Sequence, residues 1–128
     1  MKIERDDNQG RNAFTGYGEG YVDVGGTRYS RSLVVNADRI VEWPATSAAA
    51  LTRSDLEPVV ALKPEIVLIG TGDALLFPDP ASLADLHAAR VGVEVMDTRA
   101  ACRTYNILLG EGRNVVAAVI VQAMDPRP

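Results

Sequence analysis

Residues 93–121 read VEVMDTRAACRTYNILLGEGRNVVAAVIV, and this stretch decides the fold. Its two ends, 93–96 and 114–121, are rich in apolar and β-branched residues, whereas the middle places apolar residues at helical spacing. Asp97 or Thr98 can cap the free N–H groups of a helix start, and Gly110 and Gly112 offer two stops. Within that helix Ala101, Tyr105 and Leu108 share a face, with Cys102 and Leu109 beside them, while Arg103 and Asn106 point elsewhere. The unit reads strand, helix, strand. In a parallel sheet the Asp97-Thr98 step would lie at the carboxyl end of a strand, where α/β proteins place their sites.

Working towards the N-terminus, residues 65–69 (EIVLI) have the continuous β-forming character of a strand covered on both faces. They run directly into Gly70-Thr71-Gly72-Asp73. Residues 74–77 fit a short strand or a packed loop, which Pro78 ends. Asp79 then caps a helix with Pro80 at its first position; Leu83 and Leu86 face the core, Asp85 and Arg90 solvent. Upstream, LTRSDL at 51–56 is a helix start in which Thr52 and Asp55 cap each other and Leu51 staples against Leu56. That helix is expected to run to about Leu62, restricted or kinked by Pro58 and stopped by Pro64. The alternation of helix and strand from 52 to 121 predicts a parallel sheet with right-handed crossovers.

The N-terminal third is β in character. Residues 21–24 and 27–29 flank Gly25-Gly26, a two-residue hairpin signal. Two more short strands, 32–36 and 39–43, extend this into a small antiparallel sheet or meander over 21–43. Trp43 reads as a core or edge anchor, and 45–50 as a linker. Residues 1–20 are polar and glycine-rich, and are expected to form a loop over the domain, anchored by Phe14 and Tyr17, or a partly mobile terminus. The whole of 1–128 reads as one domain, with a polar N-terminal segment at 1–15 and a tail at 122–128.

Bulk properties narrow the function classes. With 47% hydrophobic and 23% charged residues the chain is a globule with a real core. A net charge of -4 argues against broad nucleic-acid affinity, which needs a basic face. A single cysteine excludes an internal disulfide and a multi-cysteine metal site, and suits a reducing compartment. Residues 1–20 contain no apolar signal-peptide core, and the longest apolar run, Val115–Val121, is far short of the roughly 18 residues of a membrane span.

Two segments are candidate walls of one crevice. Gly70, Thr71 and Gly72 can offer backbone N–H groups to an anion, yet neither a dinucleotide fingerprint nor a P-loop is present, and Asp73 follows. The plainer role is a turn at the sheet edge. Opposite, Asp97, Thr98 and Arg99 open a helix whose free N–H groups and arginine can attract an anion, although Asp97 taken alone is a cap. Cys102 lies near the helix start, where a thiol can be activated, but without a base it reads as a small core residue. Tyr105 and Asn106 complete the candidate pocket, and Glu111 is a further polar group. His87, the one histidine, has no partner pattern for a metal or a triad. No catalytic residue, metal site or cofactor is assigned.

Four segments carry a family resemblance: GYGEG at 16–20, SLVVNAD at 32–38, PEIVLIGTG at 64–72 and MDTRAACRTYNILLGEGR at 96–113. Over about residues 16–121 they resemble the Mth938-like proteins. That family of unknown biochemical function includes a mitochondrial respiratory complex I assembly factor and an adipogenesis-associated Mth938-domain-containing protein. The resemblance implies a three-layer α/β fold, with a central mostly parallel sheet, flanking helices and an additional N-terminal antiparallel β layer. Its recurrent residues fall on Gly70, Thr71, Gly72, Asp97, Thr98, Ala101, Thr104, Tyr105, Asn106, Glu111 and Arg113. The location it implies is that of a bacterial cytoplasmic member.

The expectation is therefore a non-enzymatic interaction or assembly factor with a protein partner or a homo-oligomeric state. The alternative is a small-molecule or anion-binding protein, or an enzyme, that uses the crevice between the Gly70–Gly72 loop and the Thr98 helix start.

Overall fold

The computed structural model describes residues 10–122. Its strands are β1 (Phe14–Gly18), β2 (Tyr21–Val24), β3 (Thr27–Tyr29), β4 (Leu33–Val35), β5 (Ile40–Glu42), β6 (Ile66–Gly70), β7 (Gly92–Met96) and β8 (Val115–Val119). Its α-helices are α1 (Glu57–Val60), α2 (Ala84–Ala88) and α3 (Thr98–Gly110). Residues 1–9 and 123–128 lie outside the described residues, so of the expected terminal segment and tail only 10–15 and Gln122 are in view.

The unit at 92–119 forms the strand, helix and strand expected. In the five-stranded sheet, ordered β5-β4-β8-β6-β7, β6 runs parallel to both β7 and β8, whereas β4 is antiparallel to β8 and β5. The sheet is thus mixed, with three parallel strands and an antiparallel edge pair. Its two faces follow from the strand period of two. On β8 and just beyond, Val115, Ala117, Val119 and Val121 enter one hydrophobic cluster, while Val116, Ala118 and Ile120 enter the other. Tyr105 and Leu109 of α3 fill the first cluster with Phe14 and Val22 of the small sheet. Leu56, Val59, Leu83 and Leu86 fill the second, on the opposite face.

The antiparallel layer differs from the expected meander over 21–43. β2 and β3, turned by Gly25-Gly26, pair instead with β1 in a three-stranded antiparallel sheet. β4 and β5 join the central sheet, Leu33 opposite Val119. Burial gives the physical reason. Leu33, Val34 and Val35 are all buried, as a strand covered on both faces requires, whereas β2 alternates half-buried Tyr21 and Asp23 with buried Val22 and Val24.

The second correction is β1, which the glycines of GYGEG made look like a loop. Phe14 and Tyr17 are buried as anchors. The Asn106 side chain also supplies a strand-like partner: its Oδ1 accepts from Phe14 N at 2.9 Å and its Nδ2 donates to Phe14 O at 2.7 Å. Tyr105 donates its hydroxyl to Asn12 O at 2.8 Å and meets Phe14 edge to face, with centroids 5.2 Å apart. Helix α3 therefore holds both the central sheet and the small one.

The helix expected over 52–62 is shorter. The capping pair forms, Asp55 Oδ2 accepting from Thr52 N and Thr52 Oγ1 from Asp55 N. A 3-10 turn, Ser54–Leu56, then precedes α1, with Pro58 in its first turn. Proline has no N–H to give and crowds the preceding turn, so the α-helix begins around it. Asp79 caps as expected, accepting from Ala81 N, but a 3-10 turn (Pro80–Leu83) leads into α2. The linker at 45–50 contains a third such turn, Ala48–Ala50, with Ala48 buried.

Asn106→Ala leaves both the N–H and the carbonyl of Phe14 without their side-chain partner. The expected loss is about 1–3 kcal/mol of stability for each group left unsatisfied, read as a lower urea midpoint.

Candidate functional site

The connection after β6 leads to α2 on one face of the sheet, and that after β7 leads to α3 on the other. Adjacent strands whose connections diverge in this way open a switch-point crevice at their carboxyl ends. Gly70–Gly72 and Asp97–Arg99 lie here, as the two walls read from the sequence.

The walls touch. A Cβ added at Gly70 would lie 3.0 Å from Thr98 Cα and Oγ1 and 3.1 Å from Ala101 Cβ, so α3 rests directly on the end of β6. The buried Thr98 hydroxyl accepts from Gly72 N at 2.8 Å and donates to Ile120 O at 2.7 Å. Around it Thr98 N donates to Gly72 O, Ile120 N to Gly70 O and Thr71 N to Met96 O, at 2.8–2.9 Å. Gly72 takes a φ of +94°, open to glycine at little cost, and packs against the Gln122 side chain. Asp97 caps α3 by accepting from Ala100 N at 2.9 Å. Thr71 N, Gly72 N, Thr98 N and Ala100 N are thereby engaged within the protein. At this latch a recess of about 10 Å³ is lined by the predicted wall residues Gly72, Thr98 and Arg99 together with Tyr17, Asp73 and Gln122, room for about one water.

The other candidates point elsewhere. Arg99 is exposed at the rim, with its guanidinium 6.0 Å from the Tyr17 ring centroid, and Arg103 donates to the Tyr17 hydroxyl at 2.6 Å. Cys102 is fully buried; loss of solvent pushes its thiol well above the usual range, against a smaller lowering by Arg103. It is a protonated core residue at neutral pH. Burial likewise raises the Tyr105 phenol. Tyr105 and Asn106 face the N-terminal segment, to which they are hydrogen-bonded, and His87 is exposed on α2. Among the described residues, no three His, Cys, Asp or Glu side chains are placed to hold a metal ion.

Two features go beyond the sequence reading: the loop at 74–77 is exposed instead of packed, and a groove lies between the ends of β5 and β8. Residues 74–77 form a loop whose Leu75, Leu76 and Phe77 are 52%, 42% and 71% exposed. The usable signal was three consecutive apolar residues between Asp73 and Pro78, a run too short and too closely bounded by turn residues for a strand. The second is a groove of about 610 Å³ at the same end of the sheet, between Arg31, Glu42, Trp43, Pro44, Val121 and Gln122. It joins the ends of β5 and β8, which no local pattern brings together.

Comparison with known proteins places this geometry in context. The family model described as "Protein of unknown function (DUF498/DUF598)" matches residues 14–120. The chain is 33% identical to the "13 kDa major membrane protein" of Francisella tularensis, over 72% of this chain and 76% of that one. It is 32% identical to "NADH dehydrogenase [ubiquinone] 1 alpha subcomplex assembly factor 3" of Xenopus tropicalis, over 79% of this chain but 62% of that protein. A solution structure of a Mth938-like domain from Bordetella pertussis superposes with a TM-score of 0.82 at 32% identity, covering 98% of this chain and 96% of that one. No helix among the described residues is long and apolar enough to cross a membrane.

Thr98→Val keeps the volume and removes the hydroxyl, orphaning Gly72 N and Ile120 O. A loss of about 1–3 kcal/mol for each orphaned group is expected by denaturant titration, with Thr98→Ser recovering most of it. Burial keeps the Cys102 thiol and the Tyr105 phenol neutral in the native state, whereas in the unfolded chain they ionise near about pH 8.5 and pH 10. Above those values the unfolded chain binds fewer protons than the native one. Stability should thus decline with rising pH from about 8.5, measured as urea midpoints across the alkaline range, and Cys102→Ala should remove the earlier onset.

Proposed function

The chain belongs to the DUF498/DUF598 family of proteins of unknown function, and from that premise we propose that it is a non-enzymatic interaction or assembly factor. The observation that carries this reading is its 32–36% identity to vertebrate proteins named as complex I assembly factors. The chain spans 62% and 56% of the frog and bovine proteins, so their whole-protein role comes here as part of the proposal. The proposed work is transient binding to a subunit of a larger protein assembly before that subunit is incorporated.

The switch point supports this reading. An anion or substrate entering between Gly70–Gly72 and Thr98 would have to displace hydrogen bonds that join β6, β7, α3 and the end of β8. The acidic balance of the chain supports a protein partner over a nucleic acid. A single, buried, free cysteine agrees with a reducing, cytoplasmic setting.

The test is affinity capture of the full chain from its native host after mild crosslinking, over several growth states, with inorganic phosphate titration alongside. The expected outcome is one recurrent protein partner and no saturable phosphate binding. No specific partner in any state would defeat the proposal.

A further inference from the structure

We infer that the loop joining β6 to the Pro80–Leu83 turn is the docking element of this protein, and that Leu75, Leu76 and Phe77 insert into an apolar pocket with a basic rim on a protein partner. This rests on the reading above as an interaction protein and names the surface that it uses.

The loop is built to hold its apolar residues in water. Thr71, 1% exposed, donates its hydroxyl to Ala74 O at 2.6 Å and accepts from Leu76 N at 3.2 Å, which folds 71–76 into a fixed turn. At the far end Pro78 is buried, Asp79 caps Ala81 N, and the Ser82 hydroxyl donates to Asp79 O at 2.6 Å. Both feet of the loop thus carry local hydrogen bonds, and its tip faces outward. A clamped turn displays adjacent large apolar side chains with little ordering left to do on binding, which is how anchor residues of interfaces gain affinity. Isolated exposed apolar residues such as Val41 and Ile107 are ordinary by comparison.

Charge chooses the occupant. From Pro64 to Ala89 the sequence has no lysine or arginine, while exposed Asp73 and Asp79 flank the tip; of the cations that the fold brings to this segment, Arg53 is paired with Asp85 and Arg99 sits across the recess on the α3 side of Asp73. A loop that enters an anionic bilayer carries basic flanks, and this one would be repelled. A pocket rimmed by lysine or arginine complements it.

The experiment places the photocrosslinking residue p-benzoylphenylalanine at Phe77 of the full chain in its native host, with Ile107 as the control position. Adducts are identified at the peptide level. The expected adduct at position 77 is to one protein, at an apolar peptide with neighbouring lysine or arginine, and far exceeds that at 107. With that partner purified, Phe77→Ala and Leu75→Ser should each weaken Kd by about 30-fold or more. Asp73→Lys should weaken it further at low salt than at high salt, and none of the three should change thermal unfolding. Unchanged affinity in these variants, equal adducts at 77 and 107, adducts to a second copy of the chain, or binding to phosphatidylglycerol–phosphatidylethanolamine vesicles would each overturn the inference. A partner crosslinked at other positions but not at 77 removes the docking loop and leaves the assembly reading standing; no partner at any position removes both.

Discussion

The hydroxyl of Thr98 is the point through which the strand ends of this protein are joined. It accepts a hydrogen bond from Gly72 N and donates one to Ile120 O, and so ties the loop after β6 to the chain leaving β8 at the first residue of α3. The contact is possible because Gly70 has no side chain to hold the helix off the strand. Among the described residues every buried side-chain nitrogen and oxygen has a partner, which a buried network must achieve to stabilise a fold. The small residues of GTG and the threonine of MDTR are two halves of one joint.

What that joint positions is the loop beyond it. Thr71, drawn inward by its N–H bond to Met96 O, uses its hydroxyl to shape 71–76 and leaves Leu75, Leu76 and Phe77 facing out. The switch point of an open α/β sheet is ordinarily a place for ligands. Here it is narrowed to a recess of about 10 Å³, and large apolar side chains are exposed at the rim. The same arrangement lets one helix serve two sheets. α3 buries Ala101, Cys102 and Tyr105, and turns Asn106 outward to hold β1.

Periodicity and end signals made the right half of the chain legible. The seven-residue apolar run at 115–121, EIVLI at 65–69 and the Asp97 cap each express a local rule and form the element expected, while the Thr52/Asp55 pair forms ahead of a 3-10 turn and a short helix. The left half was harder because its strands are short and their partners distant. β1 gains its hydrogen bonds from β2 and from an asparagine 92 residues away, which no window on GYGEG contains. The strand expected at 32–36 fits a meander by its position in the chain, while the unbroken apolarity of LVV at 33–35 is that of a strand covered on both faces.

The sequence by itself determined the strand-helix-strand core, the caps, the hairpin at Gly25-Gly26 and the residues that meet at the switch point. These depend on contacts a few residues apart, or on side-chain chemistry that any environment would express. Tertiary structure alone decided that the strands at 33–42 join the central sheet and that the small sheet begins at Phe14. It also decided how closely the Gly70–Gly72 and Thr98 segments approach, which leaves a recess of about 10 Å³ between them. The physical reason is close approach: a Cβ at Gly70 would already lie 3.0 Å from Thr98. Whether two walls leave a pocket or touch depends on how closely α3 settles onto β6, and that separation belongs to the packed fold and not to either segment.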